Sequence, residues 1–446
     1  MRAPVLVWLR LDLRLRNNPA LTAAAAQRQP VIPVFIWAPE EEDGWQPGAA
    51  SRWWLHQSLE SLQADLKKLG SRLILRRGPS LGTLRSLVRE TGADAVFWNR
   101  RYEPALRRRD AQVQQSLRAD GIKIETYNSA LLFEPDEIKN SAGQPFRVFT
   151  PFWKACLTAT TSFTPESAPS SAKAPPLSSL SLDELALEPG IDWAAGLRST
   201  WQPGESGAQK RMRRFFDDAL DGYPEQRDYP SYQGTSRLSP HLHFGEISPH
   251  QIWAACPRHR SAASKAFLRQ LGWREFAHHL LYHFPHTARA PLRPQFSHFP
   301  WRCDSKGLHA WQQGQTGYPI VDAGMRELWT TGWMHNRVRM IVGSFLVKDL
   351  LLSWMNGARW FWDTLVDADL ANNTLGWQWV AGCGADAAPF FRIFNPTSQA
   401  ARFDPKGDYI RKWIPELNTA GYPQPVVDHA RARVRALDAL SAIKQR

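Results

Sequence analysis

The stretch "SRWWLHQSLESLQADLKKLG", residues 51–70, sets leucines at 55, 59, 62, 66 and 69. That 4-3-4-3 spacing lines one face of an α-helix, and Gly70 is its stop. Apolar runs stand on either side, "VIPVFIW" (31–37) before it and "RLILR" (72–76) after it. Runs this short and this rich in β-branched residues read as buried strands. Further out, "VLVWL" (5–9), "AVFWN" (95–99) and "IKIETY" (122–127) repeat the pattern. Strands alternating with helices predict a doubly wound, five-stranded parallel sheet over residues 1–128, which offers any ligand the carboxyl ends of its strands. No GxGxxG follows the first strand, which argues against a standard dinucleotide site there.

Beyond this α/β domain the composition shifts. Residues 129–200 read as a connector, Ser-, Ala- and Pro-rich between 158 and 190. From 201 to 446 strand-like alternation nearly vanishes, and 263–283, 319–331, 333–352 and 356–366 carry helical apolar spacing. An all-α C-terminal domain follows, and most of the 21 tryptophans lie in it.

The 446 residues hold 55 Lys plus Arg against 42 Asp plus Glu, a net charge of +13. Much of the excess is arginine, whose fork matches phosphate, so the balance suggests a polyanion partner, nucleic acid first, with solubility as the alternative. No apolar run reaches the roughly 18 residues of a membrane span, and the N-terminus has no signal-type cleavage site, so a soluble cytoplasmic protein is expected. The four cysteines are scattered singly, without the pairing of a zinc site or a disulfide framework.

Large aromatics usually fill helical cores, so each tryptophan alone reads as packing. Their company shifts that reading. "TGWMHNRVRM" (331–340) groups Trp333, Asn336, Arg337, Arg339 and Met340, and "VDADLANN" (366–373) presents Asp367 and Asp369 before Asn373. Charges in an aromatic helical interior must pair or meet a polar ligand, and a large polar cofactor would satisfy them. "GTSRLS" (234–239) offers hydroxyls ahead of a probable helix, as an ordinary cap or as an anion site suited to a diphosphate. His241 and His243 alternate rather than stand at i and i+4, so no metal is expected there.

Together these residues resemble the DNA photolyase and cryptochrome flavoproteins. The resemblance runs from "LVWLRLDLRLRNNPAL" (6–21) through "RVFTPF" (147–152), "GTSRLSP", "WREF" (273–276), "WQQGQTGYPIVDAGMREL" (311–328), "TGWMHNRVRM" and "GWQWVAGCGADAAPFFRIFNP" (376–396) to "KWIPEL" (412–417). It covers nearly the whole chain and lies nearest the class III photolyase and plant cryptochrome branch. It implies an N-terminal antenna domain and a C-terminal helical domain that binds FAD in a folded conformation.

Carried over residue by residue, the resemblance assigns Tyr223, Thr235, Ser236, Arg237, Leu238 and Ser239 to the phosphate side of FAD. Arg274, Asn336, Arg339, Asp367, Asp369 and Asn373 match its other FAD contacts, with Asn373 facing flavin N5, where Asn is the repair-enzyme choice. Trp377, Trp354 and Trp301 match the family's electron-transfer chain. Trp273 and Trp379 match the walls of the lesion pocket, joined by Met340 and Asn336, while Arg274, Arg337 and Arg392 are candidates for the flanking phosphates. Residues i and i+2 of a helix lie about 200° apart, so Trp377 and Trp379 must face opposite sides.

The implied activity is blue-light repair of cyclobutane pyrimidine dimers in ultraviolet-damaged DNA, by electron transfer from excited FADH⁻ to a flipped-out dimer, in a monomeric carbon–carbon lyase without a metal. The alternative is a cryptochrome-like photoreceptor with weak or no repair. Gln270 motivates it, because many dimer-repairing members carry Glu there. The resemblance also implies an antenna, methenyltetrahydrofolate near Trp53 or Trp54 ahead of a deazaflavin or none.

Overall fold

The computed structural model describes residues 2–159, 163–170, 175–259, 261–387 and 391–444. Parts of the expected connector, 160–162 and 171–174, and residues 388–390 of the stretch 376–396 lie outside the described residues. The chain forms two compact units, each assembled from three segments. The first comprises Met1–Ile138, Cys156–Asp217 and Ser236–His259, the second Lys139–Ala155, Asp218–Thr235 and Arg260–Arg446.

The first unit contains the expected sheet. Its strands are β1 (Val5–Leu9), β2 (Val31–Trp37), β3 (Ile74–Arg77), β4 (Ala95–Asn99) and β5 (Lys123–Tyr127), all parallel in the order β3-β2-β1-β4-β5. Every residue of β1, β2 and β4 is buried, as strands covered on both faces by helices must be. The leucine-spaced helix spans Ala49–Lys68 and buries Leu55, Leu59, Leu62 and Leu66.

Two features depart from the sequence reading. The crevice at the carboxyl ends of β1 and β4, where the strand order reverses, is occupied by the protein's own charges. Arg10, 6% exposed, pairs with Asp110 at 2.7 Å and bonds the Asn99 carbonyl, and Arg10 and Arg109 flank the Trp8 ring at 4.6 and 4.8 Å. Trp53 and Trp54, expected beside a folate, are 1% and 0% exposed. The Trp54 ring packs on Trp53, Trp201, His241 and Phe244 and is spent on the core.

Segments far along the chain join this unit through one buried carboxylate. Glu246 Oε1 accepts from Trp54 Nε1 (2.9 Å) and from the Gly204 N–H (2.7 Å), and Oε2 bonds His241 Nδ1. Gly245 just before it has φ +65°, and a Cβ there would collide with the backbone of Leu11 and Asp12.

The second unit is helical. The helix Leu370–Ala381 is its hub, packed against Ala262–His283, Asn336–Ser344 and Trp354–Thr364. The single helix expected over 333–352 is instead Asn336–Ser344 followed by a π-helical turn, Phe345–Asp349. His335 Nδ1 accepts from the Arg337 N–H (3.2 Å) and starts the helix late. The π turn carries buried Lys348, whose Nζ donates to the Ala381 carbonyl (3.0 Å) and so secures the end of the hub. No helix among the described residues is long and apolar enough to cross a membrane, and no cluster among them could hold a metal.

A Glu246→Ala substitution leaves buried donors without an acceptor. It should lower the stability of the first unit by roughly 3 kcal/mol or more, read by urea denaturation, and a midpoint equal to the parent's would refute the role given to this carboxylate.

Candidate active site

The hub helix places its polar and aromatic residues by rotation. Asp369 caps it, its Oδ1 accepting from the Asn372 N–H at 2.8 Å. Asn373 and Trp377 follow at four-residue intervals, one above the other on the buried side, 9% and 3% exposed. Asn373 donates Nδ2 to the Ala358 carbonyl at 2.9 Å, which orients its amide. The Trp377 ring meets Phe361 edge-on at 5.0 Å and Trp311 at 6.2 Å, and lies so close over Gly357 that any Cβ there would overlap it. Trp379 comes out of the other side, only half-buried.

Charge around this buried face is paired. Arg339 Nη2 lies 2.9 and 3.1 Å from the two Asp367 oxygens, and its Nε donates to the Met334 carbonyl (2.8 Å). The capping Asp369 stands 3.4 Å from His278 Nε2. Burial pulls the His278 imidazole down, but Asp369 more than offsets it, so its pKa sits above the ordinary 6.5. His278 escaped the sequence reading. Its signal was available, because a histidine on the apolar face of "WREFAHHLL" needs a polar partner once buried.

The outer two tryptophans of the expected chain are held by main-chain bonds. Arg302 N–H donates to the Leu351 carbonyl (2.8 Å), and Arg302 pairs with Leu352 as a parallel bridge. The bridge ties the segment of half-buried Trp301 to the segment that leads into buried Trp354.

The open side of the hub is aromatic and basic. Arg392 lies over the Trp379 ring at 5.0 Å, and both line a shallow recess with Ser344, Val380, Ala387 and Phe394. On the neighbouring helix, Trp273 stacks on Phe149 with centroids 3.7 Å apart and planes 7° from parallel. One turn earlier, Gln270 accepts from Arg227 Nη2 (3.3 Å) and donates Nε2 to the Ala266 carbonyl (3.2 Å). Arg274 is 12% exposed beside Glu275, at 3.8 Å. Asn336 is exposed, its amide 3.9 Å from the Met340 sulfur.

The hydroxyl-rich stretch divides between the units. Tyr223 and Thr235 belong to the second, where the buried Tyr223 ring meets Phe267 at 5.8 Å. Ser236 to Ser239 belong to the first. There Arg237 has φ +51°, Ser236 Oγ accepts from the Leu238 N–H (3.4 Å), and Leu238 is buried before a five-residue helix, Ser239–His243.

Comparison with known proteins agrees with this arrangement. Residues 5–173 match the DNA photolyase family, and residues 267–421 match the FAD binding domain of DNA photolyase. The chain is 46% identical to a deoxyribodipyrimidine photo-lyase of Agrobacterium fabrum, across 99% of this chain and 98% of that one. It is 39% identical to cryptochrome-1 of Arabidopsis thaliana, across 99% of this chain and 70% of that one. The crystal structure of a class III photolyase from Agrobacterium tumefaciens superposes with a TM-score of 0.96 at 46% identity, covering 100% and 98% of the two chains. A parallel-sheet unit, a helical unit around a tryptophan-bearing hub and likeness along the whole length have one explanation: the chain belongs to the DNA photolyase family.

Proposed function

We propose that the protein is a deoxyribodipyrimidine photo-lyase that uses blue light and FAD to split pyrimidine dimers in damaged DNA. The observation that carries this reading is the hub helix, with Asn373 and Trp377 on its buried face and Trp379 on its open one. The donor set fits a flavin: an oriented amide one turn from an oxidisable indole, a capping Asp369 and a paired Arg339–Asp367. FAD, when bound and reduced, would supply light absorption and the electron.

The protein's residues would do the rest. Arg339 and Asp367 would hold fixed charge near the cofactor in a low-dielectric interior, where preorganised charge acts most strongly. Trp377, Trp354 and Trp301 would carry oxidising equivalents outward when the cofactor needs reduction. Trp273 and Trp379 would stack an extruded dimer, with Met340 beside them, and Arg274, Arg337 and Arg392 would meet phosphates. Exposed Asn336 fits this DNA side better than the cofactor side.

Three finer readings accompany this one: a monomer, a cytoplasmic location and a folate antenna. The burial of Trp53 and Trp54 means that other residues would have to hold the antenna.

The deciding experiment is blue-light repair of a thymine-dimer oligonucleotide by reduced, flavin-loaded protein, single-stranded and duplex, with dark controls. Restored thymine in the light alone is expected; normal flavin photoreduction with persistent dimers would turn the reading to a photoreceptor. Replacing Trp377 by Phe keeps an aromatic ring in the core and removes the oxidisable indole. Photoreduction of oxidised flavin should then be lost while pre-reduced protein still repairs, and unchanged photoreduction would remove Trp377 from the chain. Gln270→Glu should raise repair per absorbed photon; a variant no better than the parent would show that Gln270 does not limit it.

A further inference from the structure

Arg337 is held on two sides. Its Nη2 lies 3.0 Å from Asp228 Oδ1, and its guanidinium carbon stands 4.3 Å over the Phe403 ring. Its Nε–H is buried and finds no acceptor among the described residues. That edge faces the protein, but the side chain as a whole keeps 19% exposure, so the rest of the planar guanidinium can still meet a phosphate oxygen from outside.

The same carboxylate borders a second arginine. Arg227 Nε is 4.0 Å from Asp228 Oδ1, and Arg227 gives its Nη2 to Gln270. A glutamate at 270 would bind Arg227 by charge; the neutral amide does not, which leaves Asp228 as the carboxylate that borders both arginines.

A negative charge at a face that meets DNA needs a reason. Asp228 is 39% exposed and repels phosphate, which works against binding in a chain of net charge +13. The gain is orientation. A free arginine side chain holds about 2 kcal/mol of rotamer entropy, and a group fixed before its ligand arrives loses less on binding.

We propose that Asp228 is a specificity-determining positioning residue: it presets Arg337 for one backbone phosphate beside an extruded lesion and weakens the hold on DNA that does not offer that phosphate. The inference rests on the photolyase reading. Asp228 touches no substrate and acts through Arg337.

The test is binding of a dimer-containing duplex and its undamaged twin across a salt series, for the flavin-loaded parent and its Asp228→Asn and Asp228→Glu variants. In the Asn variant the damaged duplex should bind about threefold more weakly and the undamaged one about twofold more tightly, the scale of a half-exposed ion pair. The Glu variant should recover the parent's ratio, and in an Arg337→Ala background Asp228→Asn should no longer weaken lesion binding. Equal weakening on both duplexes would make Asp228 a support of the fold, equal tightening would make it mere repulsion, and either overturns the proposal. A parent without lesion preference would overturn the photolyase reading and this proposal together.

Discussion

An α-helix turns about 100° per residue, so neighbours two apart look in nearly opposite directions. The hub helix uses that constraint at Trp377 and Trp379, one buried against Phe361 and Trp311, the other half-open under Arg392. A change of one position in this spacing would turn an indole into the wrong environment. Around the hub, Arg339 pairs with Asp367 and His278 stands by the capping Asp369, while Trp273 on a neighbouring helix stacks on Phe149.

Such a hub must be held firmly at both ends. Asp369 caps its start, and Lys348 binds the Ala381 carbonyl at its end. Burial drives the Lys348 amine well below its usual pKa and pushes the nearby Cys383 thiol up to about 12, so the thiol brings no charge to the interior. Charge is kept where it is matched, as in Arg339–Asp367 and in the acceptor that Glu246 offers to Trp54, Gly204 and His241.

Much of the fold was legible. Strands 5–9, 31–37 and 95–99 coincide with those observed, because a strand buried on both faces is a continuous apolar run with few other readings. The leucine spacing of 51–70 likewise located its helix within two residues. Three features were misread, each for a physical reason. Trp53 and Trp54 looked like a stacking platform, but an aromatic pair cannot announce from spacing whether its partners are a ligand or Trp201 and Phe244. The strand-order reversal promised a ligand crevice, which the distant Asp110 closes by pairing with Arg10. The helix expected over 333–352 starts late because His335 spends its ring on the Arg337 amide, and it passes into a π turn at Phe345–Asp349.

By itself the sequence determined the order of strands and helices, the net positive charge and the rotation that separates Trp377 from Trp379, since each follows from local periodicity or simple composition. Tertiary structure decided which charges meet. Asp228 reaches Arg337 across 109 positions, Glu246 reaches Trp54 across 192, and His278 reaches Asp369 across 91. Pairings at such separations leave no trace in local spacing. They arise only when packing brings the side chains together in a medium where an unpaired charge is too costly to keep.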